Sequence, residues 1–202
     1  RPVLVLLTLQ SDLGTALVFV AIYGGIVLLS GVSWKIILPV FLTGVLLLGG
    51  FLFIFISDGG RAFLHNLGMP TYQINRSLAW LHPFDYAQTT TFQQAQGQIA
   101  VGSGGLTGQG FNVSNLLVPV RESDMIFTVI AEDFGFLGST LVIMLYLLLI
   151  YRMLKITIKS NNQFYTYIST GFIMMLIFHI FENIGAVTGI LPLTGIPLPF
   201  IS

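Results

Sequence analysis

Val118-Pro119-Val120-Arg121-Glu122-Ser123-Asp124-Met125-Ile126-Phe127 joins a polar loop to an apolar helical run. Two acids and an arginine stand at this junction, at the end of a long Gly-rich segment. A carboxylate at the mouth of an apolar helix is costly to desolvate, so the position needs either a capping role or a chemical one.

Composition sets the class of protein in which that junction lies. The sequence has 202 residues, 54% of them hydrophobic and 8% charged, and its mean hydropathy is +0.88. Soluble domains carry about 25% charged residues. The deficit is too large for a water-soluble core, and apolar runs of spanning length agree with an integral membrane protein. Formal net charge is zero, so bulk electrostatics gives no reason to expect nucleic acid or an acidic partner. Without cysteine there is no disulfide or thiolate chemistry. Arg1 opens inside an apolar stretch and Ser202 closes without a terminator, so the sequence reads as a piece of a longer polytopic protein.

Apolar spans are expected at 13–30, 36–56, 136–158 and 164–187, each long enough to cross a core of about 30 Å at roughly 1.5 Å per residue. The apolar run from 125 to 158 is too long for one straight crossing, and Gly135 and Gly138 mark the expected break. Between the second and third spans lies a 57–123 loop rich in Gly, Pro, Asn and Gln. Within it Phe92, Ala95 and Ile99 recur at helical spacing among glutamines, the pattern of a short amphipathic helix in the membrane interface. Gly102-Ser103-Gly104-Gly105 ends that helix, and the glycines suit close packing near a lipid chain. Arg152, Lys155 and Lys159 place their loop in the cytoplasm. Alternation then puts Asp12, the 57–123 loop, Asp124 and the 192–199 segment outside. Glu182 and Asn183, roughly 28 Å along their helix, fall on the same side.

Several of these segments together resemble the SEDS family (shape, elongation, division and sporulation), the RodA/FtsW group of peptidoglycan polymerases. Gln10-Ser11-Asp12-Leu13-Gly14-Thr15 resembles Q-P-D-L-G-T, and Arg76 through Pro83-Phe84 resembles R-x-x-x-F-L-x-P followed by an aromatic residue. Phe92-Gln93, Gln96 and Ile99 through Gly105 follow Y-Q-x-x-Q-S-x-I-A-x-G-S-G-G. Pro119 through Phe127, with Ala131-Glu132, follows P-E-x-x-T-D-F-I-F and A-E. Asn183-Ile184-Gly185 and the 191–202 stretch follow N-I-G and P-x-T-G-I-P-L-P-F-I-S. Ser11, Phe92 and Ser123 depart from the pattern. Val120 stands where the family often has Glu, with Glu122 two residues later. The resemblance implies an all-α polytopic fold of ten membrane helices, of which 1–202 would be a part forming one membrane domain. The wording of 131–138 is nearer the elongation branch, RodA, than the division branch, FtsW.

The resemblance also implies an activity: polymerisation of lipid II at the outer face of the bacterial cytoplasmic membrane. A sugar hydroxyl attacks an anomeric carbon whose leaving group is polyprenyl diphosphate, which needs a base at the hydroxyl and positive charge at the diphosphate. Asp124 matches the catalytic Asp. The plainer role for the pair is that Ser123 caps the following helix while Asp124 complements its dipole. Arg76 and Arg121 are candidate diphosphate contacts, since guanidinium binds phosphate oxygens bidentately, although lipid headgroups would serve them equally. Gln93, Gln96, Asp12 and Asn183, from the matching segments, are expected to line the substrate site. A divalent cation, Mg²⁺ or Mn²⁺, is implied, with Asp124 and Glu122 as its expected ligands; Glu122 could instead pair with Arg121. His179 and Glu182, three residues apart, could bind a metal or form a hydrogen-bonded patch. The implied partners are lipid II, a class B penicillin-binding protein, and other proteins of the elongation or division machinery. A lipid II flippase and a non-catalytic scaffold remain alternatives. A flippase would want polar groups spread through mid-membrane, whereas these gather at one face.

Overall fold

The computed structural model describes residues 13–57, 59–60, 80, 84, 92–111, 113, 123–160 and 162–202. Regular structure among them is helical: α1 (Leu13–Leu29), α2 (Trp34–Ile56), α3 (Phe92–Ser103), α4 (Ile126–Lys159) and α5 (Gln163–Thr188). Both α4 and α5 are long and apolar enough to cross a membrane. The chain is an all-α membrane protein, and the expected 13–30, 36–56 and 164–187 spans correspond to α1, α2 and α5.

Local chemistry sets the ends of these helices. Gly31 takes a φ of 77° that few other residues tolerate, turning the chain after α1. The Ser33 hydroxyl then accepts from the Lys35 N–H at 3.2 Å to open α2. At the start of α5 the Asn162 side-chain oxygen accepts from the Phe164 N–H at 2.9 Å, and Gly189, left-handed at φ 84°, closes the helix.

The central helix is α5, which packs against α1, α3 and α4. Lipid offers no hydrophobic drive for helices to associate, so close packing of small residues must supply the attraction. Gly171 of α5 faces Ile22 and Ile26 of α1, and Gly25 of α1 faces Met174 of α5. The buried cluster of Ala100, Met125, Phe127, Tyr146, Val187 and Leu198 lies where α3, both parts of α4, the end of α5 and the 191–202 segment meet.

α3 forms where a short helix was expected and turns a face of small residues and Gln94 against the protein. Its buried face is Gln94, Ala95, Gly97 and Ala100, while Phe92 and Ile99 point outward. Gly97 approaches Met125 and Thr128 so closely that a Cβ would meet both. The helix is therefore packed by small residues against α4 and α5, and its large apolar residues face away from the protein.

α4 breaks where its glycines suggest, at Gly135, whose φ of 66° and ψ of −158° are open essentially to glycine alone. On one straight helix, residues 123 and 146 would stand roughly 34 Å apart. Instead, the short turn at 198–202 touches both: Ser202 Oγ donates to the Ser123 carbonyl at 2.9 Å, and the Tyr146 hydroxyl donates to the Pro199 carbonyl. The two legs, 126–134 and 136–159, thus fold toward one another.

A bend of this kind opens backbone hydrogen-bonding groups that a bilayer cannot satisfy. The 104–110 loop supplies the missing partners. Gln109 and Gly110 N–H groups donate to the carbonyls of Glu132 and Asp133 at 2.9 and 3.1 Å, and Phe136 and Leu137 N–H groups donate to those of Gly105 and Leu106 at 2.9 and 3.1 Å. A Cβ on Gly104 or Gly108 would collide with the Ala131 or Asp133 carbonyl. Gly104, within the run expected to pack near a lipid chain, and Gly108 beyond it therefore admit protein backbone.

Candidate functional site

Asp124 sits in the turn just before α4. That helix opens with Met125 as its N-cap and no side-chain capping hydrogen bond. The Ser123 hydroxyl donates to Asp124 Oδ1 at 2.7 Å, where a cap would accept from a helix N–H. Ser123 therefore does not cap α4. The polar groups of Ser123 and Asp124 serve each other, and Asp124 remains partly exposed.

Two segments, α5 and the 191–202 stretch, hold this turn in place. Asn183, on α5 and 1% exposed, donates through Nδ2 to the carbonyls of Asp124 at 2.7 Å and Ile196 at 2.8 Å. One amide therefore joins the Asp124 turn to the 191–202 segment. Gly195 (φ 83°) is so close that a Cβ there would stand 3.3 Å from Asp124 Oδ2. Next to it, the Thr194 hydroxyl donates to Glu182 Oε1. Glu182 is buried at 3% exposure, and its Oε2 has no hydrogen-bond partner. The His179–Glu182 pair read from the sequence thus contributes Glu182 to a hydrogen-bonded patch with Thr194. Among the described residues no group of three acidic or histidine side chains could hold a metal ion.

The expected site residues divide accordingly. Asp124 and Asn183 come together, but the Asn183 amide is committed to two backbone carbonyls, which leaves its NH₂ unavailable to a substrate. Gln93 and Gln96 are half-buried on α3, which reaches the same turn through Gly97 and Met125. Asp12, Arg76, Arg121 and Glu122 lie outside the described residues.

Gln94 was not singled out in the sequence, yet it is buried, and its Nε2 donates to the carbonyls of Ala186 and Leu191, each at 3.3 Å. It ties α3 to the end of α5, where the Trp80 indole N–H also reaches the Gly189 carbonyl at 3.2 Å. Tyr146 was likewise passed over. A hydroxyl in the otherwise apolar run 141–150 was the available signal, since such a group needs a partner.

Comparison with known proteins identifies the family. The family model described as "Cell cycle protein", covering FtsW, RodA and SpoVE, matches residues 2–202. Peptidoglycan glycosyltransferase MrdB of Escherichia coli K12 is 37% identical across 98% of this chain and 51% of its own length. Stage V sporulation protein E of Bacillus subtilis is 32% identical across 96% of this chain and 50% of its own. A chain solved in a study of polymerization and crosslinking by a peptidoglycan synthase complex superposes on all of this one and on 52% of its own length, with a TM-score of 0.73 at 28% identity. The chain spans about half the length of the curated relatives it matches. The chain belongs to the FtsW, RodA and SpoVE family of cell cycle proteins, the SEDS family that its motifs resemble.

Proposed function

We propose that this chain carries the glycosyl-transfer site of a peptidoglycan polymerase, which joins lipid II units into glycan strands at the outer face of the bacterial cytoplasmic membrane. The observation that carries the proposal is the Asp124 turn. Its carboxylate has no work in capping α4 and is partly exposed, and Asn183 and the 194–196 backbone fix its position. Pre-positioning of a reacting group is what such a transfer most needs from a protein. The relative named peptidoglycan glycosyltransferase MrdB supports the same reaction class.

In this mechanism Asp124 accepts the proton of the attacking sugar hydroxyl as its oxygen bonds to the anomeric carbon. The bond from that carbon to the diphosphate breaks, and polyprenyl diphosphate leaves with the electron pair. Arg76 and Arg121 pair with the diphosphate oxygens, while Gln93, Gln96 and Asp12 bind the sugars. Asn183 acts here by position, through the two carbonyls it holds.

Hard divalent cations take oxygen ligands, and Mg²⁺ is commonly held by one or two carboxylates together with substrate phosphates and water. Asp124 with Glu122 fits that sparse donor set. A bound Mg²⁺ or Mn²⁺ would offset charge developing on the leaving diphosphate. The lipid-linked substrate approaches from outside, a topology supported by Arg152, Lys155 and Lys159 at the far end of α4 from Asp124. A class B penicillin-binding protein is the proposed partner, in keeping with the structural neighbour's place in a peptidoglycan synthase complex.

The test is lipid II polymerisation by the full-length protein with its penicillin-binding protein, its transpeptidase blocked and Mg²⁺ supplied. Wild type should make glycan strands, and a folded, partner-bound Asp124→Asn variant should make at least ~100-fold fewer. Equal activity would remove Asp124 from the chemistry. No strands from wild type alongside a working control polymerase would overturn the polymerase itself.

A further inference from the structure

The Asp124 turn is held from outside its own helix. Nothing caps α4, so the position of the carboxylate depends on the 194–196 segment, with Gly195 against Oδ2 and Ile196 joined to the Asp124 carbonyl through Asn183. The segment itself has little regular structure: residues 192–198 form neither helix nor turn. Its side-chain tie to α5 at this point is the Thr194 hydroxyl on Glu182.

A carboxyl group buried to 3% exposure within an apolar helix is an expensive way to hold a loop. It is well placed for that purpose, however. Glu182 and Asn183 are consecutive, so one turn of α5 grips the segment at Thr194 and Ile196, on both sides of the glycine that touches Asp124. Ile196 is buried at 8% exposure and packs against Gly14 of α1, so release of the segment would expose it.

We infer that Glu182 is a positioning residue for Asp124, acting through its hydrogen bond to Thr194, which fixes the 194–196 segment against the catalytic turn. This role rests on the proposed polymerase reaction only for its effect on rate; the effect on the segment stands apart from it. The acceptor oxygen is the functional feature. Glu182→Gln keeps it, whereas Glu182→Leu removes it at similar bulk and suits an apolar helix.

Two readouts test the inference, both on the full-length protein with its partner. The first is maleimide labelling of an Ile196→Cys variant in a cysteine-free background. Labelling should be slow with Glu182 or Glu182→Gln and at least ~10-fold faster with Glu182→Leu. The second is lipid II polymerisation without the cysteine. Glu182→Leu should lower kcat ~10-fold or more with KM within about 2-fold, because a misplaced base weakens the transition state and leaves substrate binding intact. Glu182→Gln should restore most of the rate. Unchanged labelling in Glu182→Leu would overturn the inference whatever the activity. Faster labelling with an undiminished kcat would overturn it too, since the segment would then be held without consequence for Asp124. A wild type that makes no polymer would instead count against the polymerase, and labelling would still decide whether Glu182 holds the segment.

Discussion

α4 and α5 are both long apolar helices, yet they are built in opposite ways. α5 runs unbroken from an Asn162 cap to a left-handed Gly189, and its own backbone satisfies its hydrogen bonds. α4 starts uncapped, breaks at Gly135, and takes backbone partners from the 104–110 loop. The regular helix provides the frame, and Glu182 and Asn183 project from it. The irregular one carries Asp124. A membrane penalises open backbone severely, so irregularity persists only where protein supplies the partners. The borrowed loop is thus a condition for having a carboxylate turn at this place.

The largest expected effect comes from breaking the borrowed contacts. Gly135→Ala puts a Cβ into the 106–108 backbone at a φ that alanine resists. The strain and the collision together should cost about 3 kcal/mol. Thermal unfolding in detergent should show a large loss of stability, and polymerisation should be lost with it. A variant as stable as wild type would mean that the break does not depend on glycine. Next in size is Asn183→Leu, which leaves the Asp124 and Ile196 carbonyls without their donor. This should cost about 2 kcal/mol and slow polymerisation by more than its effect on the amount of folded protein.

A smaller pair sharpens the contrast between the helix starts. Asn162→Ala removes a true cap, so unfolding should become easier by about 1 kcal/mol with polymerisation unchanged per folded molecule. Ser123→Ala removes no cap. Its stability should stay within about 0.5 kcal/mol while polymerisation falls, because the hydroxyl serves Asp124 Oδ1. The opposite pattern would return Ser123 to a capping role.

The regular features were legible in the sequence and the borrowed ones were not. Hydropathy located α1, α2 and α5 to within a few residues, and the glycines located the break in α4. Positive charge at 152–159 grouped Asp124, Glu182, Asn183 and the 192–199 segment on one side. Periodicity located α3, but it says nothing of which face small residues bring against a neighbour. Ala95 and Gly97 pack inward while Ile99 does not. Gln94 and Thr194 bond to groups ninety-two and twelve residues away, and no local pattern predicts such a partner. The glycines at 104 and 108 were visible as small, but what approaches them is backbone from α4.

Two neighbouring glycines test how α1 is held against the α5 frame. Gly24 and Gly25 are adjacent on α1 yet differ in surroundings: a Cβ on Gly24 meets nothing within 4 Å, whereas one on Gly25 would collide with Met174 of α5. Gly25→Ala should therefore cost about 1 kcal/mol, eased by the flexibility of methionine. Gly24→Ala should be neutral or stabilise by up to about 1 kcal/mol, since alanine is the better helix former. Thermal unfolding of the two variants side by side provides the comparison. If both cost the same, close approach at Gly25 is not what joins α1 to α5. A difference in the stated direction would mean that the regular helix is held by one-sided close packing, while α4 depends on its loop.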